Sequence, residues 1–525
     1  MPLFLGLDCS TQGLTAILLE AGPGDARVVF EHSLDFDRDL PEYRTDHGVH
    51  RHADGLTVTA PPPMWADALD RMLGKIASSG CDIAALEAIS GSAQQHGTVY
   101  VVPDAERTLA ALDPTLAPGA PVAAVLSRGD APVWMDESTR AQCDAIDAAL
   151  GGPNATATLT GSAATERFAG PQIRKFFERQ PGAYSSTGCI HLVSSFLASL
   201  LAGTRAPIDP GDGAGMNLMD IGRCEWAPAA LDATSPGLRN RLPDIRPSWT
   251  IAGTLSPYWR RRHGLPPAAV VAWSGDNPCS LVGTGLVREG DVAISLGTSD
   301  TVFAYRSTLP APGSASHIFG SPTGGYMGLV CFRNGSLARE AVRERYHLDW
   351  NGFSTWLRTT PAGNRGGCMT PWFEPEITPR AAGGVHTLDL DPDDGPAHVR
   401  AVIEAQALAM AIHSQALSGR CRRIVATGGA SANRDILQVI ADVFDAEVYR
   451  GAEGNAACLG AALRAWHAYA LAAGTPRSWD GIVSGITDPP AATRVRPIAA
   501  HVATYRDMRP RYAEFEERVR LARRG

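Results

Sequence analysis

Two carboxylates stand where apolar strands run out. Asp8 follows Leu3-Phe4-Leu5-Gly6-Leu7 and opens the turn Asp8-Cys9-Ser10-Thr11-Gln12-Gly13. Asp276 follows Val270-Val271-Ala272 within Trp273-Ser274-Gly275-Asp276-Asn277-Pro278. A carboxylate at a strand end beside a cleft can take the proton of a hydroxyl. One opposite a nucleotide's phosphates can hold Mg2+, directly or through water. Plainer roles stay open for both: an Asx-turn closing the hairpin at Asp8, and a helix cap at Asp276 ahead of a proline. Thr11, Thr298 and Ser299 offer hydroxyls in turns whose exposed N–H groups suit phosphate oxygens. Gly428-Gly429 lies between a strand and a helix, where missing side chains let the backbone approach a flat or charged ligand. His96 and Arg167 are polar loop residues of the half that holds Asp276. His47, His50 and His52 fit either a metal site or a polar surface loop.

The elements that must position these residues occur twice. Leu3–Leu7 and Leu14-Thr15-Ala16-Ile17-Leu18-Leu19 flank the first turn. Val292-Ala293-Ile294-Ser295-Leu296 and Thr301-Val302-Phe303-Ala304-Tyr305 flank the second, Gly297-Thr298-Ser299-Asp300. Both read as strand, tight polar turn, strand. Each half then has a strand ending in a small-residue loop: Ser90-Gly91-Ser92-Ala93-Gln94-Gln95-His96 in the first, Thr427-Gly428-Gly429-Ala430-Ser431-Ala432-Asn433 in the second. Two copies of one lobe would leave a cleft between them, where ligands bind. Elsewhere the spacing predicts helices over 190–201, 333–347, 401–418, 434–444 and 455–471. It predicts loop and short helix over 151–171, a turn-rich loop over 207–215 and an irregular run over 361–384. Residues 505–523 form an amphipathic pattern of mixed charge, which reads as a docking helix rather than a membrane binder.

Bulk composition narrows the function class. A chain of 525 residues, 44% hydrophobic and 19% charged, is an ordinary globular protein of two or three domains. A net charge of −8 argues against a general nucleic-acid binder. Ten cysteines without a Cys-x-x-Cys pair signal neither a zinc site nor a disulfide framework, and the chain reads as cytoplasmic. No leader and no span of about 20 apolar residues stands out. Only Lys75 and Lys175 are lysines, and neither follows a glycine loop, so a Walker-type phosphate loop is excluded.

Taken together, the motifs resemble the FGGY carbohydrate kinases, and within them the animal-type xylulokinase branch, from Leu5 to about Leu471. Asp8-Cys9-Ser10-Thr11-Gln12 is similar to the first phosphate motif, and Ser295-Leu296-Gly297-Thr298-Ser299-Asp300 to the second. The loop ending Gln94-Gln95-His96-Gly97 resembles a sugar-contacting loop, as does Glu166-Arg167-Phe168 with Gly170-Pro171-Gln172-Ile173. Gly275-Asp276-Asn277-Pro278 resembles the catalytic segment, and residues 427–433 the adenosine motif. There are departures. Ser10 replaces the glycine of the superfamily's Asp-x-Gly-Thr, and Pro375-Glu376-Ile377-Thr378-Pro379 stands where many bacterial members carry Gly-Glu-Arg-Thr-Pro.

The resemblance implies an α/β fold of the actin, sugar-kinase and Hsp70 type: two ribonuclease-H-like lobes around an ATP cleft. The implied division is a sugar lobe over 1–288, a nucleotide lobe over 289–480, and an extension with the docking helix over 481–525. Implied roles are Asp276 as base; His96, Arg167, Asp276, Asn277 and Gln95 on the sugar; Thr11, Gly297, Thr298, Ser299, Trp350, Gly428, Gly429 and Asn433 on ATP; and Asp8 on Mg2+ through water. The implied reaction is ATP-dependent phosphorylation of D-xylulose. The alternatives are a kinase for another ketose or a polyol, or a non-catalytic actin- or Hsp70-like nucleotide-dependent sugar binder. The implied partners are sugar and ATP, with no nucleic acid and no membrane; a homodimer is compatible.

Overall fold

The computed structural model describes every residue except 23–24, 312–315, 452–453 and 523–525. The chain divides into two compact units. The first comprises Met1–Val287, Ile318–Met327 and Asn455–Asp488; the second comprises Arg288–His317, Gly328–Gly454 and Pro489–Gly525.

The first unit is built on a seven-stranded sheet. Its strands are β1 (Leu3–Cys9), β2 (Gly13–Ala21), β3 (Ala26–Asp35), β4 (Leu86–Ala93), β5 (Ile251–Thr254), β6 (Ala269–Val271) and β7 (Ser274–Gly275). The order is β5-β6-β4-β1-β2-β3, with β7 also pairing β4. β1 runs antiparallel to β2 and parallel to β4. Because side chains alternate along a strand, Leu3, Leu5 and Leu7 enter one core with Trp65 and Leu69 of the helix Pro62–Ala77. Phe4 and Ile17 enter another with Ala462 and Trp466 of the helix Ala456–Ala472. Both faces are therefore covered, which explains the near-continuous apolar runs of β1 and β2.

That last helix departs from the expected division, which placed it in the nucleotide lobe. It packs on β1 because the contact is closed by small residues: a Cβ added at Gly6 would stand 2.2 Å from the Cys458 carbonyl oxygen. Sequence order cannot show such a return of the chain.

The second unit is organised on β8 (Asp291–Leu296), β9 (Asp300–Arg306), β12 (Arg423–Thr427) and β13 (Glu447–Arg450). With β10 (Ser316–Gly320) and β11 (Tyr326–Phe332) these form a six-stranded sheet ordered β10-β11-β9-β8-β12-β13. β8 runs antiparallel to β9 and parallel to β12, the plan of β1, β2 and β4 repeated. The helix Ala499–Ala522 docks here: Tyr505 Oη donates to Glu404 Oε1 at 2.7 Å and His413 pairs with Glu516 at 2.7 Å. Arg523, the end of the expected amphipathic stretch, lies outside the described residues.

Most expected helices sit within a few residues of their observed bounds, such as Arg434–Phe444. One expectation is corrected. Residues 190–192 belong to the strand Cys189–Leu192, and the helix begins at Val193 and ends with Gly203 in the left-handed region. A continuous apolar run carries both periodicities, so it cannot mark the switch. Among the described residues no helix is long and apolar enough to cross a membrane.

Candidate functional site

The first hairpin and the strand ends beside it bring several expected residues together. Asp8 lies opposite Ser92 in the parallel β1–β4 ladder, and Ser92 Oγ donates to Asp8 Oδ1. Asp276 opens the helix Asp276–Gly283 directly after β7, whose Gly275 pairs Ala93 of β4. Asn277 donates twice to Asp276 Oδ1, from its backbone N at 2.8 Å and from Nδ2 at 3.1 Å. The same Nδ2 donates to Gln95 Oε1 at 3.0 Å. Asp276, Asn277 and Gln95 are thus one hydrogen-bonded set. The cap role left open for Asp276 is not the one observed: Gly275 is the cap residue, no side chain caps the helix, and Asp276 is its first residue.

Electrostatics set these carboxylates apart. Burial, with Asp8 as a neighbouring negative charge, pushes Asp276 up to about 7. Burial likewise raises Asp8 to about 6, against the Ser92 hydrogen bond. Two carboxylates that disfavour each other's ionisation are a natural place for a proton acceptor or a divalent cation.

His96 sits in the left-handed region at φ 74°, where a non-glycine residue is strained. Its Nδ1 is 2.8 Å from the Gly215 carbonyl oxygen and its ring stacks on Phe168 at 4.2 Å. Phe168 follows Arg167, a partly buried guanidinium that makes no hydrogen bond or ion pair among the described residues. The Thr11 hydroxyl accepts from Trp134 Nε1 at 2.8 Å. Trp134 and Ser92 were not singled out as site residues from the sequence, because their roles arise from contacts across the fold.

The three histidines do not converge. His50 bridges Asp130 and the Tyr43 carbonyl, His52 meets Thr59, and His47 lies beside Asp46. The surface-loop reading accounts for them.

In the second unit the hairpin turn Gly297–Ser299 exposes the side chains of Thr298 and Ser299. Its base is fixed from behind by Arg339, which pairs with Asp300 at 2.8 Å and donates to the Gly297 carbonyl at 3.1 Å. Gly428 has φ 81°, and a Cβ there would stand 2.6 Å from the Leu296 carbonyl, so only glycine lets β12 turn so close to β8. Gly429 faces open space. Asn433 caps the helix Arg434–Phe444, accepting from Asp435 and Ile436, while its Nδ2 donates to Ser354 at 2.7 Å. Trp350 is 41% exposed, with the Arg343 guanidinium 4.8 Å from its ring centre. Glu376 is buried and accepts from Arg333, Asn334, Ile377 and Thr378, which makes it a structural acceptor.

Comparison with known proteins gives a consistent picture. Residues 128–283 match the N-terminal domain of the FGGY family of carbohydrate kinases, and residues 292–469 match its C-terminal domain. The xylulose kinase of Rattus norvegicus is 44% identical over 532 residues, spanning 99% of this chain and 98% of its own. Xylulose kinase 2 of Arabidopsis thaliana is 40% identical over 490 residues, 89% of this chain and 87% of its own. The crystal structure of a xyloylose kinase from Brucella ovis matches with a TM-score of 0.82 at 22% identity. That match covers 99% of this chain and 100% of the other, and at that identity it speaks for the α/β fold alone.

Proposed function

The chain belongs to the FGGY family of carbohydrate kinases, and from that premise we propose that it transfers the γ-phosphoryl group of ATP to the terminal hydroxyl of D-xylulose. The observation that carries this reading is the Asp276 carboxylate, held at one oxygen by Asn277 and raised to about 7. A base of that proton affinity is matched to proton transfer near neutral pH. The sugar is supported by relatives named xylulose kinase, from an animal and a plant, that match over most of their length.

In the proposed reaction, Asp276 takes the proton of the sugar hydroxyl as its oxygen bonds to the γ-phosphorus and the bond to ADP breaks. Both Asn277 donors fall on Oδ1, and the backbone N–H groups of Asp276 and Gln95 also hold the carboxylate that takes the proton. Gln95, His96, Arg167 and Asn277 orient the sugar through amide, imidazole and guanidinium groups suited to hydroxyl and carbonyl oxygens. Thr11, Gly297, Thr298 and Ser299 offer N–H groups and hydroxyls to phosphates, and Gly428 and Gly429 let the backbone approach the nucleoside. Trp350 and Asn433 complete the nucleotide contacts. Phosphoryl transfer needs positioning and charge stabilisation more than covalent chemistry.

Asp8 fits a hydrated Mg2+. Its Oδ1 is held by Ser92, and the second carboxylate nearby leaves a local excess of negative charge. Such a cation, when bound, neutralises charge on the donor phosphates. The proposed location is the cytoplasm, in keeping with free thiols throughout.

ADP release measured across ketoses, aldoses and polyols with ATP and Mg2+ tests the reading. D-xylulose should give the highest kcat/KM. A tenfold preference for another sugar transfers the assignment to that sugar, and sugar-independent ATP hydrolysis alone removes it.

A further inference from the structure

The segment 209–217 forms the floor beneath Gln95 and His96. The Gly211 carbonyl lies 3.5 Å from Gln95 Nε2, and the Gly215 carbonyl 2.8 Å from His96 Nδ1. Between them is Asp212, 1% exposed. Ser194 Oγ donates to its Oδ2 at 2.5 Å, and its backbone N donates to Asp209 Oδ1 at 2.9 Å. Asp209 is held in turn by Ser248 at 2.6 Å and lies 4.0 Å from the buried Arg464. Asp212 Oδ1, by contrast, is buried without a hydrogen bond of good geometry, and the Gln95 side chain is the donor that bears on the carboxyl. A buried oxygen without a well-made hydrogen bond is costly, so its placement beside a reactive set calls for a role.

We propose that Asp212 is a positioning residue that fixes which way the Gln95 amide points, and through it the orientation of Asn277 and Asp276. Gln95 Nε2 lies on the side of Gly211 and Asp212, where it finds only acceptors. Its Oε1 must then face Asn277 Nδ2, as it does at 3.0 Å. The flipped amide would set N–H against N–H at Asn277 and oxygen against oxygen at Gly211. With Gln95 fixed, Asn277 directs both its donors to Oδ1 of Asp276. Burial holds Asp212 well above the usual carboxylate range, with Asp209 and Asp276 adding to the rise and the Ser194 and Gln95 hydrogen bonds opposing it. Asp212 therefore offers Gln95 an acceptor oxygen.

The inference rests on Asp276 being the base, and its test separates the two. Asp212→Ala should lower kcat by about 10²-fold, the scale of a small misplacement of reacting groups, with KM for ATP unchanged. Asp212→Asn presents the same carbonyl to Gln95 and should recover most of that loss. Combined with Gln95→Ala, Asp212→Ala should cost nothing further. If Asp212→Ala does not fold, Ser194→Ala, which loosens the same carboxyl, should slow turnover by a smaller factor that vanishes in the Gln95→Ala background. Asp212→Asn as slow as Asp212→Ala, or losses that multiply with Gln95→Ala, overturn the proposal while Asp276 keeps its role. Normal turnover in Asp276→Asn removes the base assignment itself.

Discussion

The two hairpins share a plan and differ in what they do with charge. Each has a three-residue turn, Ser10–Gln12 or Gly297–Ser299, between an antiparallel pair, with a parallel strand on the other side of the first. Two residues before the turn, the first hairpin carries Asp8 opposite Ser92, and the second carries Ser295 opposite Thr427. One residue after the turn, the first has Gly13 and the second has Asp300. The first unit thus keeps raised carboxylates, Asp8 and Asp276, beside the hairpin, and among the described residues neither forms an ion pair with a cationic side chain. The second seals its carboxylates internally, Asp300 with Arg339 and Glu376 with backbone N–H groups. It leaves hydroxyls and glycine backbone outward. In the proposed reaction, one lobe plan would serve side-chain chemistry in one copy and backbone binding in the other.

The contrast breaks most sharply at Asp276. Asp276→Asn should lower kcat by about 10²–10⁴-fold, the range for loss of a general base, as read by ADP release. It should also stabilise the protein. A carboxylate whose folded value is about 7 contributes stability below its unfolded value near 4 and loses it as pH rises through 7. The substitution should therefore raise Tm at pH 8 and leave it unchanged at pH 4. An inactive variant with a lowered Tm at pH 8 would mean that the carboxylate holds the fold rather than the reaction.

Arg339→Gln asks the opposite question of the second unit. Asp300 and Arg339 are both nearly fully buried, and burial outweighs Arg339 in raising Asp300 above the usual range. The pair is a lock on the turn more than a source of net stability. Removing one partner leaves an uncompensated buried charge and should cost about 3–5 kcal/mol, measured by denaturant unfolding. Adding Asp300→Asn should restore much of it. A mild Arg339→Gln would erase the difference drawn between the two hairpins.

The hairpins were legible because strand, turn and strand are local patterns, and the observed strands extend the expected ones by only a few residues. Asp8, Asp276, Gln95 and Asn277 were legible by motif, and the structure joins the last three by hydrogen bonds. Asp212 was not legible: its neighbours Gly211 and Gly213 mark a turn-rich loop, and its contact with Ser194 arises only when a distant helix start arrives. The helix Ala456–Ala472 was read correctly as a helix, yet nothing in its pattern says which sheet its small residues fit. Asn433 shows a third kind of gap, since cap and ligand contact call for the same residue type.

The smallest expected effect bears on the position two residues before each turn. In the proposed reaction turnover needs Asp276 ionised, so kcat/KM for the sugar should rise with pH through a limb near 7. Asp8 is the charge that adds to burial in raising Asp276. Asp8→Asn should therefore move that limb to lower pH, whatever it does to the maximal rate. Ser295→Ala, at the matching place in the second hairpin, removes no charge and should leave the limb where it is. A limb that stays fixed in Asp8→Asn would show that burial alone sets the base. A limb that moves in Ser295→Ala would show that the second hairpin also governs the proton, and the division of labour between the two copies would fail.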